Sequence, residues 1–587
     1  MKKVTALVLT VVLLASLSLS GCGQGGGAAP TGDGAAPAGG TAPAAADAAA
    51  GDDGAEARML FTAGGPTTFP LVEGGATLTI ATGENWFTPA SFADGLPAKL
   101  ALEELTGVTI DWQVIPQGEY AAVMQTRLAA VIDLPDIFNN PGGGFVDRFG
   151  VQGLAINLSP LIEDHAPYLR SLMEMRPVLR SALTAFDGNI YWYPYIGEGH
   201  VDNAEVMETG SWIDPGANIN LHVPMIRQDW LDRLGLAVPV TLDDWTTVLR
   251  AFRDNDPRGD GVDVIPLTTQ WGLMDLMSFG SGFGLYMSGN ANSNSGFHVR
   301  PDGTVYHRHT EPAARDFISF LASWFAEGLI DPEFMVSNWE HAQEKVHLNI
   351  IGAVSSQWLS NMPSFNANLR AGLDPNANYV PVRQPVNAAG RSYTYNRWMI
   401  GKHTGITLHA ENPELAMRWL DAHALSPQGI NLQMWGVEGI SYTVGPDGRF
   451  AYTDFVLNNP DGLGPFEAIR SLGAWGRIAM VQTRDAYVGL FAELPEILDF
   501  AASFRGDEVR NPFPAAANLP FTEDEAERFS DIMSNVNMYR DENYVRFIDG
   551  SQSMDEWDAY VDRLHAMGLG EALEMLQRAY DRFVAAN

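Results

Sequence analysis

Ala76-Thr77-Leu78-Thr79-Ile80-Ala81-Thr82 alternates apolar and polar side chains with a period of two and reads as a strand. Working outward, Pro97–Leu105 reads as a helix, and Gly107–Ile115 alternates again through Val108, Ile110, Trp112 and Val114. Gln117–Val131 reads as a second helix and Leu134-Pro135-Asp136-Ile137-Phe138 as a third strand. The order strand, helix, strand, helix, strand predicts a parallel α/β lobe, because parallel neighbours need a crossover connection.

The later helices carry clear signals. Thr241-Leu242-Asp243-Asp244 is a capping-box variant ahead of Trp245, Val248, Leu249 and Phe252, which share one helical face. Pro413 opens a helix with Leu415, Ala416, Trp419 and Leu420 facing inward. Ser553-Met554-Asp555-Glu556 caps another, with Trp557, Tyr560, Val561 and Leu564, and a last helix runs from about Glu571 to Val584. Gly280–Gly296, rich in Gly, Ser and Asn, reads as a flexible surface loop. A chain of 587 residues that is 46% hydrophobic has material for more than one core, so two or more lobes are expected.

The 71 Asp and Glu against 36 Lys and Arg give a formal charge of −35, which argues against a nucleic-acid binder. The single cysteine excludes an intrachain disulfide framework and any multi-cysteine metal site. Lys2 and Lys3 precede an apolar run, Val4–Leu19, too short for a convincing bilayer span, so residues 1–21 read as a signal peptide. Leu19-Ser20-Gly21-Cys22 resembles the lipobox of bacterial lipoproteins, which implies cleavage before Cys22 and a diacylglycerol on its thiol. Loss of both signal lysines makes the charge two units more negative. Gly23–Ala57 has no aromatic or branched aliphatic residue, so residues 22–74 are expected to form a disordered tether, with order beginning near Gly75.

Catalytic motifs are scarce. The chain has no Gly-x-Ser-x-Gly elbow, no His-Glu-x-x-His and no phosphate-binding Gly-Lys-Ser/Thr loop. His307-Arg308-His309 lies beside the turn signal Asp302-Gly303 and reads as two exposed strand histidines rather than metal ligands. Asp254-Asn255-Asp256-Pro257-Arg258-Gly259-Asp260-Gly261-Val262-Asp263 spaces acids around glycine like a calcium loop, with a solvated acidic turn as the alternative. Aromatic residues are concentrated in Asn85-Trp86-Phe87 and Tyr191-Trp192-Tyr193-Pro194-Tyr195, while Trp271, Trp358, Trp398 and Trp435 fall in loops or near strand ends. Gln270-Trp271 and Gln357-Trp358 each pair an amide with an indole, the combination that stacks on a sugar face and bonds its hydroxyls.

Several stretches together resemble one family. These are Ile226-Arg227-Gln228-Asp229-Trp230-Leu231-Asp232-Arg233-Leu234-Gly235-Leu236, Asp256-Pro257 through Ile265-Pro266, and Glu327-Gly328-Leu329-Ile330-Asp331-Pro332-Glu333-Phe334. Asn412-Pro413-Glu414, Arg418-Trp419-Leu420-Asp421, Gly436-Val437-Glu438-Gly439 with Tyr442, and Trp557-Asp558-Ala559-Tyr560 follow in the same order. They resemble the large lipoprotein solute-binding proteins (family 1 type) of bacterial carbohydrate ABC importers, similar to the alginate-oligosaccharide-binding proteins. The resemblance implies a two-lobe, periplasmic-binding-protein-like α/β fold (type II), with a hinge and an interlobe cleft. It places the first part of lobe I at residues 75–195, the first part of lobe II at 196–395, and return segments plus C-terminal helices at 396–587. It also implies a non-enzymatic receptor, held by lipid on the outer face of the cell membrane, that delivers a sugar to permease subunits.

On this reading the substrate-binding residues are Asn85, Trp86, Trp192, Tyr193, Gln270, Trp271, Gln357, Trp358, Trp398, Trp435 and Glu438. The family's calcium loop maps onto Asp256, Asp260 and Asp263, so any ion would be structural Ca2+. The loop is one residue shorter here and has Arg258 where an amide is usual. No other cofactor is expected, and the protein is expected to be a monomer. The large negative charge favours neutral oligosaccharides over polyanionic ones. A surface-tethered glycoside hydrolase or polysaccharide lyase is the main alternative, and a ligand-free scaffold or signalling lipoprotein is the third.

Overall fold

A computed structural model describes residues 67–586 except 85–89, 143–146, 197–221, 287–295, 396–399, 477, 484–485, 487–488, 491–495, 497–498, 501–507 and 512–518. Cys22, the expected signal and the expected tether as far as residue 66 therefore lie outside the described residues. Leu71 is already buried in the first core, and its N–H donates to the Thr106 carbonyl at 2.8 Å, so packing begins ahead of Gly75.

Alternation in the opening stretch produces the expected unit. Strands Ala76–Gly83 and Val108–Ile115 run parallel, with the helix Pro97–Thr106 between them in sequence. The helix Tyr120–Ala130 leads to the strand Ile137–Asn139, parallel to the first. The sheet is completed from far away in sequence. Ile400–Ile406 enters antiparallel between Ile137–Asn139 and Tyr193–Ile196, giving the order 108–115, 76–83, 137–139, 400–406, 193–196. Leu78, Ile80, Ile137 and Ile406 face one core, and Ala81, Phe138 and Trp192 face the other.

A second sheet has the order Tyr379–Pro381, His222–Arg227, Ile351–Trp358, Ile265–Thr268; the last two strands are parallel and the other pairs antiparallel. On one face, Ile226, Leu267 and Ala353 meet Trp230, Trp245, Leu321 and the C-terminal helices Glu523–Ile548, Trp557–Ala566 and Leu569–Ala586. On the other, Met225, Ile351 and Val354 meet Met434, Trp435 and Trp475. Arg227 is fully buried but paired with Asp229 and Asp374 at 2.7 and 2.8 Å, and its guanidinium lies 4.5 Å from the Trp230 ring centre. A buried charge is tolerable only when so compensated.

Local signals read well. Thr241 Oγ1 accepts from the Asp244 N–H at 3.1 Å and Asp244 returns the bond to the Thr241 N–H at 2.8 Å, opening the helix Leu242–Asp254. The helix Pro413–Leu425 buries Leu415, Ala416, Trp419 and Leu420 as expected. Two readings are corrected. The segment expected to be a surface loop is buried at its start, where Ser281 Oγ donates to the Pro385 carbonyl and accepts from the Tyr393 N–H, both at 2.8 Å. His307 and His309 are not exposed: both are buried at 1% or less, with His298 and Arg308. His309 Nδ1 lies 2.9 Å from Tyr544 Oη, a group from distant sequence.

Burial, reinforced by the positive charge of Arg308, holds His298, His307 and His309 well below the ordinary histidine value of 6.5; Arg540 adds to this at His307 and His309, and His565 at His307. The folded chain keeps these rings neutral while the unfolded chain protonates them. Their contribution to stability is therefore complete above about pH 6.5 and is lost as pH falls below it. Thermal denaturation at neutral and mildly acidic pH should show this loss. His307→Leu, which removes a ring whose two nitrogens have no partner, should reduce the difference between the two conditions. An unchanged difference would contradict the assignment.

Candidate functional site

In open α/β sheets, ligands bind outside the carboxyl ends of parallel strands. Two such ends lie side by side in the second sheet. Ile265 pairs with Ile351 and Thr268 with Val354, so the segments after Thr268 and through Gln357 emerge at one edge. Gln270 and Gln357, each predicted beside an indole, are thus brought to neighbouring strand ends.

The turn after Thr268 is tightly held. Thr268 Oγ1 donates to Asp331 at 2.6 Å, and Ser337 Oγ donates to the Thr269 carbonyl at 2.6 Å. The N–H groups of Gln270 and Trp271 both donate to one oxygen of Asp275, at 2.7 and 2.6 Å. Gly272 follows with φ +70°, and a Cβ there would sit 3.3 Å from the Phe334 carbonyl oxygen, so only glycine closes this turn comfortably. Trp271 is left half-buried, whereas Gln270 is fully buried with neither amide atom hydrogen-bonded. On the neighbouring strand, Ser278 Oγ donates to the Ser355 carbonyl at 2.8 Å, and Asn361 donates to Gln357 Oε1 at 2.7 Å. The Ser355 hydroxyl and the second Asp275 oxygen are also buried without a partner.

Burial pushes the Asp275 carboxyl up to about 8 despite the two N–H donors that favour its charged form. It is therefore mostly protonated at neutral pH, and this edge of the second sheet is polar but close to uncharged. Neither Asp275 nor Ser355 could be singled out from sequence, since nothing in their local pattern distinguishes them from other acids and hydroxyls.

In the first sheet the corresponding edge lies beyond Asn139. The Asn140 side chain donates to the Lys402 carbonyl at 2.7 Å, and Lys402 Nζ pairs with Asp147, so its charge is internally neutralised. One Asp147 oxygen remains buried without a partner.

The other predicted residues fall into three groups. Asn85, Trp86 and Trp398 lie outside the described residues, as does the side chain of Trp358, whose backbone ends its strand. Trp192, Tyr193 and Trp435 are placed in cores. Trp192 is fully buried and meets Phe138 edge-on at 5.4 Å, Tyr193 Oη donates to buried Asp421 at 3.2 Å, and Trp435 packs 4.5 Å from Tyr452. Their rings are occupied by packing, which the density of aromatic residues in sequence could not reveal. Glu438 is exposed on a turn, bridged to Tyr442.

The calcium reading does not fit. Among the described residues no group of three or more His, Cys, Asp and Glu side chains is placed to hold a metal ion. Both oxygens of Asp256 accept backbone N–H groups, from Gly259 at 2.8 Å and Gly261 at 3.0 Å, and Asp260 is paired with Arg258 at 2.7 Å. Asp263 is exposed.

Two α/β halves, each with its own sheet and joined by a strand that returns from one to the other, define a periplasmic-binding-protein-like, solute-binding fold. The comparisons agree. The alginate-binding protein AlgQ2, solved without calcium ion, superposes with a TM-score of 0.72 at 23% identity, over 88% of this chain and all of that one. The Streptococcus pneumoniae substrate-binding protein FusA, solved in complex with kestose, gives 0.68 at 24% identity, over 87% of this chain and all of that one. By sequence, the fructooligosaccharide ABC transporter substrate-binding protein FusA of S. pneumoniae is 25% identical over 534 residues, which are 88% of this chain and 92% of that protein. Lipoprotein LipO of Bacillus subtilis is 25% identical over 288 residues, 47% of this chain and 50% of that protein. No protein-family model matches. The chain is similar to substrate-binding proteins of ABC transporters and has their fold.

Asp275 supplies a direct check on the turn. Its folded-state carboxyl binds a proton that the unfolded chain releases between its ordinary value of 3.8 and about 8, so its presence lowers stability as pH rises through that window. Asp275→Asn keeps an acceptor oxygen without that penalty, whereas Asp275→Ala strands two N–H donors at a cost of about 1–3 kcal/mol. Denaturation curves at mildly acidic and alkaline pH should show Ala clearly less stable than Asn, and Asn gaining on the wild type as pH rises. Equal destabilisation by both variants would contradict the proposed role.

Proposed function

We propose that the protein is an extracellular, lipid-anchored receptor that captures a neutral oligosaccharide and passes it to the membrane subunits of an ABC importer. The observation that carries this reading is the edge formed by Gln270, Asp275 and Ser355. Three polar side chains lie buried there, Gln270 and Asp275 on the turn and short helix after one strand and Ser355 within the parallel strand beside it, with hydrogen-bonding capacity unused. Unused buried donors and acceptors cost about 1–3 kcal/mol each, and a hydroxyl-rich ligand recovers that cost. Amides, a hydroxyl and a protonated carboxyl suit sugar hydroxyls, and half-buried Trp271 beside them can stack on a sugar face. The internal pairing of Lys402 with Asp147 neutralises that cation at the first-sheet edge, which favours neutral sugars over uronate chains.

Similarity to FusA, a fructooligosaccharide-transporter substrate-binding protein solved in complex with kestose, supports the choice of a short neutral oligosaccharide. The anchor rests on Cys22 in its Leu-Ser-Gly-Cys setting and on similarity to a lipoprotein. No helix among the described residues is long and apolar enough to cross a membrane, and two acyl chains would give a stable attachment. Trp86, Trp358 and Trp398 remain assigned to the ligand by their place in the sequence, as partners of Trp271.

Titration calorimetry against kestose, other neutral oligosaccharides and oligouronates should show binding to a neutral member, weakened about tenfold or more by Trp271→Ala. Binding only to oligouronates would overturn the neutral-ligand assignment. New reducing ends appearing during incubation would favour the glycan-cleaving alternative.

A further inference from the structure

The loop between the helix Leu242–Asp254 and the strand Ile265–Thr268 has the acidic spacing of an ion-binding loop, yet the carboxylate oxygens of Asp256 and Asp260 are already hydrogen-bonded. Asp256 stands in left-handed backbone, φ +45°, and its carboxylate gathers the N–H groups of Gly259 and Gly261. Asp256 and Asp260 put two carboxylates on one short turn, which favours a positive charge beside them. Two guanidinium groups meet that need. Arg258, whose side chain is only 15% exposed, reaches back to Asp260 at 2.7 Å, and Arg233, from the preceding helix Gln228–Leu234, donates to the Pro257 carbonyl. Between them they neutralise a carboxylate and bind a backbone carbonyl, the two tasks a divalent cation performs in such a loop.

We infer that Arg258 is a built-in cation, and that it makes this loop independent of divalent ions. One solved structure of the similar protein FusA is of an EF-hand mutant. Here Arg258, two places after Asp256, puts a guanidinium where an ion-binding loop would use a neutral ligand. The consequence reaches the candidate site, because the loop leads directly into the strand Ile265–Thr268, which the Gln270–Trp271 turn follows. That strand should stay ordered whatever the calcium level outside the cell.

The test does not depend on which ligand the receptor takes. Elemental analysis of the purified protein should find far less than one calcium per chain. Its melting temperature should be the same in excess EDTA and in millimolar calcium chloride, because an ion that binds only the folded state would raise it. Arg258→Asn should lower the melting temperature by about 1–3 °C, the scale of one ion pair in a large domain, with Arg258→Lys falling less because it keeps the charge. Stoichiometric calcium, a drop in melting temperature with EDTA, or an Arg258→Asn variant as stable as wild type would overturn the inference. The ion content and EDTA measurements need only the wild-type chain, so they decide the matter even if a variant fails to fold.

Discussion

The strand Ile400–Ile406 is the constraint on which the architecture depends. It lies antiparallel between two strands of the first sheet that precede it by some two hundred residues or more, pairing Thr404 with Asn139 and Ile400 with Ile196. The first sheet cannot close until the chain has laid down the second and come back. Backbone groups alone do not secure the return. Asn140 donates from its N–H to the His403 carbonyl at 2.6 Å and from its side chain to the Lys402 carbonyl, while Thr407 Oγ1 donates to the Pro135 carbonyl. Asp136 ties Thr79 and Glu411 into the same corner. One residue of slip would turn Ile400 and Ile406 out of the core that holds Leu78 and Ile80. Register here therefore fixes how the two halves are tied together.

Polar burial is organised differently in the two halves. Around the return strand, acids and amides are spent on holding the chain. At the edge of the second sheet, one Asp275 oxygen fastens the Gln270–Trp271 turn, while Gln270, Ser355 and the other Asp275 oxygen are left without partners. Removing charge from that edge by burial, rather than by ion pairing, leaves donors and acceptors in a medium where a correct partner counts for much more than in water. A rigid, nearly uncharged turn that presents an indole is a reasonable device for selecting a hydroxyl-rich solute.

What could be read from the chain alone followed the range of the interaction. Alternation in Ala76–Thr82 and the capping residues at Thr241 act within a few residues of one another, and both were legible. His307 and His309 looked exposed because the groups that bury them, Tyr544 among them, lie more than two hundred residues away. Trp192, Tyr193 and Trp435 looked like ligand contacts because aromatic density does not distinguish a core from a cleft. Gln270-Trp271 was singled out through its pairing of amide with indole. That it neighbours the strand of Gln357 depends on sheet register, and that Asp275 holds it depends on a turn; neither leaves a mark in sequence.

Amide hydrogen exchange, with and without a saturating neutral oligosaccharide, tests the central claim most directly. The account predicts added protection at the turn carrying Gln270 and Trp271 and along Ser355–Asn361, with the acidic loop at Asp256–Asp263 little changed. Protection confined to other surfaces, with these two segments exchanging as before, would contradict the placement of the ligand at the paired strand ends.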